Sequence, residues 1–471
     1  MIRKYFKIGF RNVWKYKAQS LTALLGLAFG LACFTHALYW LRYETSFDHF
    51  YPDSKEIYRI YTVEKQSNNL NEWVPGILRT KILDHFPEVA YCTGYLFSPF
   101  DYTTEKIPFI SLQVLFADST FLKVFPQWFV SGDAIRPLHI EQSIILTQSV
   151  AIRLFGDVEG AIGQQMKTAM FDLFPPFTVT AVVKDPPPNS NVTFEAIHNF
   201  PLIQNAHSMP ESAQWDYFNQ LMYVKLHPRV DVNTLSKKLL DYPSQINANH
   251  NIEVRILPIA GVRHRFSIDL PFTLNYYRLF VVCGALLLFC ALFNFVHLYI
   301  DIYRKRFFEL RNRALHGAKG GRLILQMMVE MIVAFFVGFA LAFLLLFLTC
   351  PISSQLLMIP ITVPVIIPLF AICGTGAMVV IMLSSLIPFY RLSRRSMRYI
   401  SQQKSAAQYR WRNSAVMLQI TISVIFVVVS LVVMMQMRFV NRKDLGFNHT
   451  GILQVSGFPM QLWKHRGALL H

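Results

Sequence analysis

The stretch Leu323 to Thr349, LILQMMVEMIVAFFVGFALAFLLLFLT, decides how this chain is read. Its 27 residues carry one charge, Glu330. A helix rises about 1.5 Å per residue, so about 20 apolar residues cross a hydrocarbon core of about 30 Å with every backbone polar group bonded inside the helix. Four other stretches pass the same test: Leu21 to Leu41, Leu279 to Ile300, Val365 to Tyr390 and Ala415 to Met435. Between the first and second of the five lie the 237 residues from Arg42 to Arg278 with no apolar run of that length, enough for a core of their own and for two subdomains. The predicted fold class is an α-helical multi-pass membrane protein with five spans and one large α+β extracytoplasmic domain.

Composition agrees with a mixed chain: 53% of the 471 residues are hydrophobic and 15% are charged. The net charge of +17 raises the question of nucleic acid, and the position of the charges answers it. Residues 1–19 carry six basic side chains and no acid; residues 301–322 carry seven against Asp301 and Glu309; residues 391–412 carry seven and no acid. Elsewhere basic and acidic residues nearly cancel. Basic clusters beside spans are a topology signal, so these three segments are expected in the cytoplasm and residues 42–278 outside. The same side chains contact anionic lipid, and no nucleic-acid partner is implied.

The expected organisation follows. Residues 1–19 form a cytoplasmic amphipathic helix, with Phe6, Phe10 and Trp14 four apart among Lys4, Lys7, Arg11 and Lys15. A first span at 20–41 leads to the extracytoplasmic domain at 42–278. A three-span region at 279–390 holds a cytoplasmic segment at 301–322. A basic linker at 391–412, a fifth span at 413–437 and an extracytoplasmic tail at 438–471 complete it. The first apolar segment ends in Leu38-Tyr39-Trp40-Leu41-Arg42, an interfacial aromatic belt and not the small residues of a signal-peptide cleavage site.

Within 42–278 the β-rich runs 143–147, 177–183 and 221–226 alternate with helical patterns at 148–155 and 234–242. Asp185-Pro186-Pro187-Pro188-Asn189 bounds the second strand as a loop. The chain has no G-x-x-x-x-G-K-[ST] phosphate loop, no H-E-x-x-H, no C-x-x-C and no G-x-S-x-G; no catalytic or metal-binding residue and no cofactor is expected. Four of the six cysteines lie in spans, Cys350 at a span end and Cys92 alone in the domain, so no disulfide framework is expected. His36 and His297 read as interfacial or helix-packing residues. Glu330, two turns into the third span, is expected to face protein, because a charge facing lipid is costly.

Three regions together resemble the MacB/FtsX-type ABC permeases, including the long versions common in Bacteroidetes. Phe10-Arg11-Asn12-Val13-Trp14-Lys15-Tyr16-Lys17 and Leu24-Leu25-Gly26-Leu27-Ala28-Phe29-Gly30 resemble that family's entry into its first span. Tyr43-Glu44-Thr45-Ser46-Phe47-Asp48, Phe116-Ala117-Asp118-Ser119-Thr120-Phe121, Leu154-Phe155-Gly156-Asp157 and Val183-Lys184-Asp185-Pro186-Pro187 resemble its MacB-like periplasmic core domain. The run Glu309 to Ala318, followed by Gln326 and Glu330, is similar to the segment between its second and third spans. Arg311 and His316 depart from that pattern, where the family has glycine and an apolar residue.

The resemblance implies a permease subunit in a bacterial inner membrane, with residues 42–278 periplasmic. Its partners would be a separate ABC ATPase that docks on a short helix bearing Glu309, Arg313, Gly317 and Ala318, a periplasmic or outer-membrane partner, and membrane lipid. Gln326 and Glu330 are the polar positions of the third span. ATP hydrolysis in the partner would be mechanically coupled to efflux or lipoprotein handling, with transmembrane halves arranged as a dimer; the chain itself would not be an enzyme. The fifth span followed by Asp444-Leu445-Gly446-Phe447 resembles the start of a second half, so the chain reads as truncated there. The alternative from another class is a membrane-anchored sensor or scaffold whose extracytoplasmic domain binds a ligand.

Overall fold

The computed structural model describes residues 11, 14–15, 17–104, 107, 109–138, 142–168, 175–199, 210–246, 251–266, 274–306, 308–309, 312, 316, 320–357, 359–397 and 406–443. The N-terminal amphipathic helix lies largely outside this set, as do residues 398–405 of the basic linker and the tail from 444 onward. The rest forms two compact units that divide between Arg42 and Tyr43 and again between Thr273 and Leu274.

The first unit is helical. Its elements are α1 (Lys17–Glu44), whose last two residues belong to the second unit, and the four that follow the domain. Among the described residues five helices are long and apolar enough to cross a membrane, and they contain the five apolar stretches. Small residues let α1 pack closely, as in helix pairs that lack a water-driven hydrophobic force between them. A Cβ on Gly30 would stand 2.8 Å from Ala291 Cβ and 3.2 Å from Leu288 Cα, and one on Gly338 would meet Leu27 at 3.0 Å. Cys350, read from sequence at a span end, lies with Pro351 inside a helix that runs on to Leu357. Proline forfeits one backbone bond near the end of a long helix, which one turn there survives.

The second unit is a mixed sheet with helices. Its strands are β1 (Ile57–Glu64), β2 (Leu70–Asn71), β3 (Val74–Pro75), β4 (Val89–Thr103), β5 (Ile110–Ala117), β6 (Phe129–Gly132), β7 (Ser143–Thr147), β8 (Gln165–Thr168), β9 (Phe177–Val183), β10 (Ala196–Asn199), β11 (Phe218–Leu226) and β12 (Ile252–Pro258). They lie in the order β12-β1-β11-β4-β5-β10-β7-β9-β6, with β2 on β1, β3 on β11, and β8 on β4 and β9. Pairing is antiparallel except for β10 on β5 and β7 on β9. The 15-residue β4 serves both ends of the sheet: its first half pairs β11 and its second half pairs β5.

The helices are α2 (Ile77–His85), α3 (Phe121–Val124), α4 (Gln148–Phe155), α5 (Glu211–Gln214), α6 (Val232–Leu240), α7 (Tyr242–Ile246) and α8 (Ile259–Phe266). Then, in the first unit, come α9 (Leu274–Lys305), α10 (Gly320–Leu357), α11 (Val363–Met397) and α12 (Ala406–Arg442). β7, β9 and α4 coincide with the runs read from sequence, since each is bounded by turn chemistry or a left-handed Gly156 (φ 92°). The helix read at 234–242 starts two residues earlier, at Val232, because the Asp231 carboxylate accepts the N–H of Asn233 and caps it there. Three buried clusters fill the domain, around Phe121, Phe125 and Tyr223, around Leu78, Met222 and Val224, and around Tyr102, Ile144 and Val179. The six cysteines are free.

Candidate functional site at the ends of the second and third spans

The last turn of α9 carries Tyr303, and Arg306 follows directly after it; both are buried. Tyr303 donates its hydroxyl to the Met327 carbonyl of α10 at 2.9 Å, and its ring meets Phe389 of α11 edge-on at 5.1 Å. Those contacts bring three helices together where Arg306 leaves α9. Gln326 and Glu330, four residues apart on α10, share a face and are buried as well.

Arg306 organises the site. Its Nη1 donates to Glu330 Oε2 at 2.6 Å, while Nε and Nη2 donate to the two carboxylate oxygens of Glu309 at 3.0 and 3.2 Å. The second oxygen of Glu330 accepts from Gln326 Nε2 at 2.7 Å. The side chains of Arg306 and Glu330 are only 4% and 3% exposed, so each would be costly to bury alone. Burial disfavours the guanidinium charge, but its hydrogen bonds and proximity to Glu309 and Glu330 outweigh that and raise its pKa above the usual value. One planar cation thus holds two carboxylates from two parts of the chain, which suits arginine and not lysine.

Of the residues singled out from sequence, Glu309, Gln326 and Glu330 meet here, while Arg313, Gly317 and Ala318 lie outside the described residues. Glu309 pairs with Arg306, three residues behind it. Between them and α10, His316 N–H donates to the Asn312 carbonyl at 3.1 Å, one helical turn. Sequence reading missed Arg306, counting it among topology charges. The available signal was Glu330 itself: a buried acid near a span end needs a cation, and the adjoining segment 301–322 offers seven. His297, by contrast, reaches Asp301 on its own helix at 4.0 Å, and His36 bonds the Ala32 carbonyl one turn back at 3.0 Å.

The family model of the MacB-like periplasmic core domain matches residues 20–242, and that of the FtsX-like permease C-terminal region matches residues 267–397. The chain is a MacB/FtsX-type ABC permease. It is a multi-pass protein of the inner membrane, a permease subunit of a family that works with an ABC ATPase and whose subunits are not themselves enzymes. Solved structures similar to it include a permease-protein domain from Porphyromonas gingivalis, 18% identical, covering 48% of this chain and 98% of that one with a TM-score of 0.38. The periplasmic region of MacB from Actinobacillus actinomycetemcomitans is 13% identical over 45% of this chain and 92% of its own, with a TM-score of 0.32. The extracellular domain of the noncanonic ABC-type transporter YknZ from Gram-positive bacteria is 11% identical over 43% and 99%, with a TM-score of 0.31. No curated protein matches the chain.

In the permease's core domain, two motifs far apart in sequence meet. Asp48, buried in a left-handed turn (φ 58°), accepts from Asn191 N at 2.9 Å, Asn191 Nδ2 at 2.5 Å and Ser190 Oγ at 3.3 Å. Tyr43 donates its hydroxyl to the Pro188 carbonyl at 2.7 Å, and Asn189 Nδ2 donates to the Ser46 carbonyl at 3.1 Å. Glu44, also buried, accepts from Arg263 Nε of α8 at 3.2 Å, and that guanidinium lies 4.1 Å from the Phe47 ring. The triple-proline loop therefore stitches down the chain at Tyr43, Ser46 and Asp48. Asp118 works similarly, capping Thr120 N–H at 2.8 Å and pairing with Arg79 at 2.5 Å.

Proposed function

We propose that this permease converts ATP hydrolysis by a separate ABC ATPase into movement of its periplasmic core domain, work of the kind used in efflux or lipoprotein handling. The observation that carries this reading is the Arg306 guanidinium, which grips Glu309 at the start of the connecting segment and Glu330 in the third span at once. A push on the segment reaches α9 and α10 through a joint too costly to leave half open. In this reading the segment bearing Glu309, Arg313, Gly317 and Ala318 is cytoplasmic and docks on the ATPase, and the transmembrane halves of two subunits face each other as a dimer. The three basic segments support that orientation, because all of them then face the cytoplasm.

The test is purification of the tagged permease from native membranes in mild detergent, followed by identification of bound ABC ATPases. A single ATPase is expected to co-purify, and to be lost from Glu309→Lys/Arg313→Glu while the variant permease still reaches the membrane. Recovery of the permease without any ATPase, under conditions that keep known permease complexes together, would refute the proposal.

A further inference from the structure

A cavity of about 510 Å³ opens on the core domain between α3 and the loop that follows β6. Leu122, Pro126, Phe129 and Leu138 give it an apolar lining, and Lys123 and Arg136 stand on it as exposed cations. The volume is that of a small-molecule site, and its lining mixes these apolar side chains with polar ones, Ser119 and Gln127 among them.

The loop is held open by its own chemistry. Gly132 takes φ 90° where a Cβ would meet the Thr180 carbonyl oxygen at 2.4 Å, so only glycine turns the chain there. The Asp133 carboxylate then accepts the N–H groups of Ile135 and Arg136, both at 2.9 Å. Thr180 Oγ1 donates to the Pro137 carbonyl at 2.5 Å, and Asn199 Nδ2 donates to that of Leu138 at 3.1 Å. Lys123 is steadied by the Tyr91 ring, 5.2 Å from its Nζ. At the tip Ile135 is 90% exposed, and Trp128 nearby in sequence is 51% exposed. A wall this well determined keeps apolar surface in water, at about 25 cal/mol per Å², with little ordering left for a ligand to impose.

We propose that this cavity binds an anionic amphiphile, its alkyl chain against the apolar lining and its carboxylate or phosphate head met by Lys123 and Arg136. Two like charges on one hollow favour an anion there. A domain tethered to a bilayer also meets amphiphiles at high local concentration. The proposal does not depend on coupling to an ATPase.

The test uses the full-length permease in phosphatidylcholine nanodiscs, irradiated with a diazirine-bearing decanoate and mapped by mass spectrometry. Saturable labelling within residues 119–138 is expected, competed by unlabelled decanoate and by decyl phosphate, and about tenfold weaker in Lys123→Glu/Arg136→Glu, as loss of charge-assisted contacts implies. The neutral diazirine decanol should label that region about tenfold less. If phosphatidylglycerol added to the discs competes, the occupant comes from a lipid headgroup; if only the free acids compete, it comes from solution. Labelling that does not saturate, or that ignores both the head charge and the charge reversal, overturns the proposal. Should the double variant melt lower than the parent, the single Lys123→Gln variant decides, with about a threefold loss expected for one contact and no loss counting against it.

Discussion

Glu330 in the membrane unit and Asp48 in the core domain are both buried carboxylates, and their partners are opposite in kind. Glu330 is met by a guanidinium, so its charge is cancelled by another charge. Asp48 is met by an amide, a hydroxyl and a backbone N–H, so its charge is only solvated. The difference teaches what each joint resists. An ion pair between two helices fails as a unit when either member goes, whereas a carboxylate ringed by neutral donors fails by degrees.

The largest expected effect breaks the first joint. Glu330→Ala should cost about 3–5 kcal/mol by leaving Arg306 half paired, read as a lower SDS midpoint for unfolding in mixed micelles. Glu330→Leu combined with Arg306→Met should recover most of that loss while still uncoupling the connecting segment. A single variant that unfolds like the parent would show that the pair holds nothing. Asp48→Ala should cost about 2–4 kcal/mol, since it strands three donors and puts alanine in a left-handed turn; Asp48→Asn, which tolerates that backbone and keeps an acceptor, should cost about half as much. Gly30→Ala tests packing without charge: its methyl has no room beside Ala291, and about 1–3 kcal/mol should be lost in the same micelle titration.

The smallest effects are in pH. Burial raises the Asp48 pKa above its ordinary 3.8, against the opposing hydrogen bonds of Asn191 and Ser190. The folded domain therefore holds that proton more tightly than the unfolded chain, and stability from this group falls as pH rises from 3.8 through the raised pKa. His198 has the opposite sign. Burial lowers its pKa to about 4 from 6.5, against a bond to the Asn199 carbonyl, so its contribution is lost as pH falls from 6.5 toward 4. Its ring packs edge-on to Phe177 at 4.0 Å. His198→Phe should flatten the acid side of a stability profile taken between pH 7 and 4. An unchanged slope there would assign acid lability to other groups.

Much of the fold was legible because it depends on near neighbours. The five spans rest on apolar length, and β7, α4 and β9 rest on runs closed by Gly156 and the triple proline. Glu330 was legible as a residue that must face protein, though its partner was not. Arg306 lies 24 residues earlier, and nothing in local pattern ranks it above Arg304, whose guanidinium instead bonds Asp301 at 3.0 Å. The start of α6 slipped by two residues because hydrophobic spacing locates a helix while a cap decides where it begins. Asp48 was legible only as part of a family motif. Its partners stand 142 and 143 residues away, and no periodicity reports a separation of that size.

The sequence by itself determined that this protein is a multi-pass membrane protein with a large mixed domain, since hydropathy, charge placement and turn chemistry act over a few residues and survive without a partner; that it is a permease came from its resemblance to a family. Tertiary structure alone decided which cation Glu330 takes and that Glu309 turns back to the same guanidinium. It also brought the proline loop to Asp48 and left a hollow beside Lys123 and Arg136. Those choices depend on which surfaces meet once helices and strands pack, where a side chain's neighbours are set by register and crossing and not by the order of the chain.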